Sequence, residues 1–132
     1  MKVVIDASYA LALTMPDENA PSSAAVVLAR DLLAPFIWPI EVANAARNAI
    51  WRKRMTFELA QATTVAVQAI GVSVQPEMTE SVAHHFQLAG SYGLSPWDAL
   101  YVDLALKGQY ELATKDAHMI AVATRLGITV HQ

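Results

Sequence analysis

The chain has 132 residues, 55% of them hydrophobic, with 12 acids against 9 bases, four histidines and no cysteine. This length predicts one domain over residues 1–132 whose core needs no staples, and the missing cysteine excludes a disulfide scaffold, a thiolate zinc site and a cysteine nucleophile. A formal charge of −3 supplies no bulk positive field to draw phosphates, which taken alone argues against a nuclease.

Met1 and Lys2 lead into only three apolar residues, Val3 to Ile5, before Asp6. No stretch of about 18 uncharged apolar residues follows, so the expectation is an untargeted, soluble, cytoplasmic protein without a membrane span. Residues 2–5 are a β-branched run that reads as a buried strand of a parallel sheet, with Asp6 at its carboxyl end. Residues 7–15 are helix-compatible, 16–19 break the pattern, and Pro21 opens a second helix predicted to run through Leu33. Pro35 closes that unit, Phe36 to Trp38 read as a second strand, and Pro39 starts a helix through Arg54 that carries Glu41 in its first turn. Thr56 is the expected N-cap of a helix reaching Gly71, and residues 72–74 form a third strand. A helix over about 79–92 precedes Ser95-Pro96-Trp97-Asp98, a capping-box pattern with proline at the first helical position, and that helix should end near Gly108. Residues 111–114 give a fourth strand, 116–126 a helix stopped by Gly127, and 128–130 a last strand. Strands and helices alternate throughout, with connections too long for hairpins. The predicted class is α/β, a mostly parallel sheet flanked by helices, with helix in about two-thirds of residues.

Four acids fall where such a sheet binds ligands. Asp6 and Asp116 follow strands, and Glu41 and Asp98 lie in first turns of helices that can point at the same sheet edge. If they converge, a pair about 5 Å apart repels by roughly 3 kcal/mol at an effective dielectric of about 20, so the cluster requires protonation or a cation. Oxygen-only ligands suit Mg²⁺ or Mn²⁺, and the chemistry they point to is phosphodiester hydrolysis. Each acid also has a structural reading. Asp98 serves equally as a capping-box acid, Asp116 as an N-cap, and Glu41 as a partner of the helix dipole. Asp6, directly after an apolar strand and before small Ala7 and Ser8, has no evident structural purpose.

Four short blocks resemble the PIN domain family, and within it the VapC-type toxins of toxin–antitoxin systems. They are Val3-Val4-Ile5-Asp6-Ala7-Ser8, Pro39-Ile40-Glu41-Val42-Ala43-Asn44-Ala45, Leu94-Ser95-Pro96-Trp97-Asp98-Ala99-Leu100-Tyr101, and Ala113-Thr114-Lys115-Asp116 ahead of Gly127-Ile128. The resemblance implies a PIN-like α/β/α sandwich and a metal-dependent endoribonuclease. Its catalytic and metal-binding acids are Asp6, Glu41, Asp98 and Asp116, holding Mg²⁺ or Mn²⁺, with Ser8 and Thr114 at accessory hydroxyl positions. It further implies products with 5′-phosphate and 3′-hydroxyl ends, an RNA substrate, a homodimer, and a cognate DNA-binding antitoxin of the VapB kind. Trp97 stands where members often carry tyrosine. Two alternatives remain open, a non-catalytic PIN-like metal- or RNA-binding module and an RNA-processing nuclease that is not a toxin.

Outside these blocks, Asn44 lies three residues beyond Glu41 on one helix face and can orient it or a metal-bound water. Asp103 follows Asp98 by five residues, about 140° round the helix, and reads as solvent-facing or paired with Lys107. Trp51-Arg52-Lys53-Arg54 is the one dense basic run, suited to gripping RNA or to ending a helix. His84 and His85 are adjacent and cannot both face one metal from a helix.

Overall fold

The computed structural model describes all 132 residues. Five strands form one sheet, β1 (Lys2–Ile5), β2 (Asp31–Ala34), β3 (Ser73–Val74), β4 (Glu111–Ala113) and β5 (Val130–His131), in the order β3-β2-β1-β4-β5. Every pairing is parallel. Central β1 is flanked on both sides, with Val3 against Leu32 and Glu111, and Val3, Val4 and Ile5 are wholly buried. That explains why its sequence reads as continuous β-branched residues and not as an alternation.

Seven helices cover the sheet, α1 (Ala7–Thr14), α2 (Ala24–Leu28), α3 (Trp38–Trp51), α4 (Phe57–Ala69), α5 (Val82–Tyr92), α6 (Pro96–Gly108) and α7 (Ala117–Arg125). Helices α1, α3 and α4 pack on one another, while α6 packs against α5, α7, β1 and β4, giving the α/β/α layering expected from the sequence. One contiguous cluster of 32 buried apolar residues forms the core. No helix is long and apolar enough to cross a membrane.

The second strand corrects the sequence reading. Residues 21–33 were expected as one helix, but only Ala24–Leu28 is helical, and Asp31–Ala34 is the strand. Leu32 and Leu33 gain backbone partners on β1 and burial at 7% and 5% exposure, which outweighs a local helix pattern too short to be stable without packing. Phe36 to Trp38, expected as that strand, form the turn into α3, where Trp38 N–H donates to the Pro35 carbonyl at 3.0 Å. The last strand lies two residues later than expected, and helix occupies a little over half of the chain, below the expected two-thirds.

Candidate active site

The carboxyl ends of β1 and β4 open into a cleft of about 680 Å³. Asp6, Glu41, Asp98 and Asp116 all line it, together with Ser8 and Asn44. Thr114, wholly buried, reaches the cleft through Asp6.

Asp6 has the structural work that the sequence did not reveal. It is the N-cap of α1, accepting from Ser8 N–H at 2.8 Å through Oδ1 and from Ser8 Oγ at 2.9 Å through Oδ2. The Thr114 hydroxyl also donates to Oδ2. Both hydroxyls act as relays between the two strand ends. Ser8 Oγ accepts from Lys115 N–H at 3.0 Å, and Thr114 Oγ1 from Asp116 N–H at 3.1 Å. Burial raises the Asp6 carboxyl above the usual range, opposed by the Thr114 and Ser8 hydrogen bonds and reinforced by the charge of Asp116.

Glu41 projects from the first turn of α3, where its Oε1 accepts a short hydrogen bond from the Tyr101 hydroxyl. Burial raises this carboxyl as well, with the Tyr101 bond opposing and the charges of Asp6 and Asp98 adding. Asp98 sits one turn before Tyr101 on α6, and its backbone N–H is capped by Ser95 Oγ at 3.2 Å. Burial and then the charges of Asp116 and Asp6 push its carboxyl up. Asp116 caps α7, accepting from Met119 N–H at 2.8 Å through Oδ1. The capping readings of Asp98 and Asp116 therefore coexist with a cleft position, since capping occupies Ser95 in one case and a single oxygen in the other.

Tyr101 was missed as a site residue, although a residue three beyond Asp98 shares its helix face. Burial and Glu41 hold its phenol well above the ordinary value, so it remains a proton donor. Asn44 makes no hydrogen bond to Glu41; the orienting bond comes from Tyr101. Arg54 and Lys115 are the two cations in the cleft lining, alongside a fifth acid, Glu18. Arg47 lies over the ring of exposed Trp51 at 5.0 Å and lines a groove beside α4, away from the acids. Asp103 is buried and not solvent-facing. It accepts from the Tyr92 hydroxyl at 2.8 Å and pairs with Lys107 at 2.9 Å, joining α5 to α6.

The donor set fits a hard divalent ion, with carboxylates and hydroxyls only and mutual repulsion that a cation relieves. No group of three or more acidic or histidine side chains is placed to hold a metal ion directly.

A model of the PIN domain matches residues 3–129. The chain belongs to the PIN domain family. PIN domains are generally metal-dependent nucleases that use divalent ions, which agrees with acids gathered at one sheet edge. Among solved structures, PAE2754 from Pyrobaculum aerophilum is similar at 19% identity and a TM-score of 0.68, over 96% of this chain and 90% of that one. A PilT N-terminus domain protein, SSO1118 from Sulfolobus solfataricus P2, is 15% identical over 98% of this chain and 85% of that one, with a TM-score of 0.47. No curated protein sequence matches the chain. The fold of this PIN domain is thus shared with the Pyrobaculum aerophilum structure at only 19% identity.

Proposed function

We propose that this PIN domain is an endoribonuclease toxin of a VapBC-type toxin–antitoxin module, using Mg²⁺ or Mn²⁺ to hydrolyse RNA phosphodiester bonds. The observation that supports this reading is the meeting of Asp6, Glu41, Asp98 and Asp116, from four separate segments, in one cleft. When bound, the ion supplies Lewis-acid polarisation of the phosphate and acidifies water. Asp6, Glu41 and Asp98 each feel the charge of a neighbouring acid in the cleft, and these three with Asp116 are the proposed ligand set. Ser8 and Thr114 hold Asp6 in one rotamer, and Tyr101 does the same for Glu41. Exposed Val82 and Phe86 on α5, at 88% and 79% exposure, are available for the homodimer and the antitoxin that this reading entails.

The test is cleavage of total RNA by the protein purified free of any partner, with Mg²⁺ or Mn²⁺, against Asp6→Asn. The native protein is expected to cut and the variant to be silent. Equal cleavage by both would remove the proposed site. The spacing of the acids also favours a second reading, a binding module that holds an ion through waters without turnover. Metal binding by calorimetry with no cleavage of tRNA, rRNA or mRNA would establish that alternative.

A further inference from the structure

Arg54 is the one cation of the cleft lining that is engaged by the chain's own acids. Its Nε donates to Asp17 Oδ2 at 2.9 Å, and its Nη2 lies 2.8 Å from the same oxygen and 3.4 Å from Glu18 Oε1. The backbone beneath it is fixed. Arg54 N–H closes onto the Ala49 carbonyl at 2.9 Å, Lys53 adopts a left-handed conformation at φ 58°, and the next residue, Met55, is buried. Asp17 and Glu18 follow buried Met15 in the segment between α1 and α2, of which Met15, Glu18 and Asn19 line the cleft.

We infer that Arg54 is the residue that grips the backbone of the substrate strand, and that Asp17 and Glu18 occupy its guanidinium as internal substitutes for phosphate until RNA displaces them. This rests on the ribonuclease reading above and names how that site receives its substrate. A phosphodiester chain approaching five carboxylates meets net repulsion, which Arg54 and Lys115 alone among the lining residues offset. A guanidinium binds carboxylate and phosphate through the same fork of N–H donors, so a geometry made for one accepts the other. All three side chains of the latch are 34–42% exposed, and such surface pairs are worth at most about 1 kcal/mol. The latch is therefore weak enough for a phosphate to exchange with it, and the fixed backbone returns Arg54 to the same place.

Binding of a short fluorescein-labelled polyuridine RNA, followed by anisotropy in EDTA over a salt series, tests this. Arg54→Ala is expected to weaken binding about three- to tenfold and to lower the salt slope by roughly 0.7, the value for one single-strand phosphate contact. Asp17→Asn with Glu18→Gln is expected to tighten binding by a similar factor, and that gain is expected to vanish when Arg54→Ala is added. A gain that survives without Arg54 is a through-space charge effect and overturns the inference. So does weaker binding in both variants with parallel losses of Tm, the signature of a loop staple. Native protein that cuts RNA while Arg54→Ala binds it equally well overturns this inference and leaves the ribonuclease reading standing. Native protein that neither binds nor cuts RNA overturns both.

Discussion

Asp6 carries two duties in one side chain. One oxygen caps α1, and the other takes hydroxyl donors from both neighbouring segments while facing the cleft. Tyr101→Phe removes the donor to Glu41 while keeping the ring, so we expect a stability loss of about 1 kcal/mol by denaturant titration and a fall in cleavage of about 10- to 100-fold. Unchanged cleavage would remove Tyr101 from the site. Asp6, Glu41 and Asp98 all bind protons more tightly in the folded protein than in the open chain. Raised carboxyls stabilise the fold fully below their ordinary values of 3.8 and 4.5, and that contribution is lost as pH rises through the raised ones. The metal-free protein is therefore expected to lose Tm as pH rises above these ordinary values, and Mn²⁺ to restore more Tm at the higher pH, where it displaces fewer protons. A metal-free Tm that climbs with that rise would contradict the repulsion described for these acids.

At the scale of elements, the helix starts are built from the same residues as the cleft. Asn caps a helix as well as Asp does, so Asp116→Asn is expected to keep stability within about a few tenths of a kcal/mol and to abolish cleavage, whereas Asp116→Ala costs about 1 kcal/mol as well. A thermal melt beside an RNA cleavage assay separates the two losses. Most of this layer was legible in the sequence. The run Val3 to Ile5 ending at Asp6, the Ser95-Pro96 start of α6 and the Asp116 start of α7 are written in local patterns of propensity and capping. Two features were not legible because distant partners decide them. Residues 31–34 pair with β1 against their local helix pattern, and Asp103 is buried because Tyr92 arrives from α5. The hydroxyl relays of Ser8 and Thr114 were legible only as accessory positions, since their meeting at Asp6 requires β1 and β4 to be neighbours.

For the whole molecule, the charge of −3 has a different meaning once its acids are located. Setting aside the four in the cleft leaves eight acids against nine bases, so the remaining surface is close to neutral. RNA affinity should then depend on the ion, Arg54 and the shape of the cleft more than on a bulk field, which predicts a shallow salt dependence of binding. A slope of many phosphate contacts in the same anisotropy series would refute this.

The hydrogen bond from Thr114 to Asp6 spans 108 residues, and the contact of Ser8 with Lys115 spans 107. During synthesis, Asp6, Glu41 and Asp98 all emerge before β4 exists. A nascent chain stopped short of residue 111 lacks both the strand that fixes the end of β1 and the hydroxyl that orients Asp6. The cleft is thus completed only once β4 has been made, so the acids of the first hundred residues reach their final arrangement together with that strand and not before it.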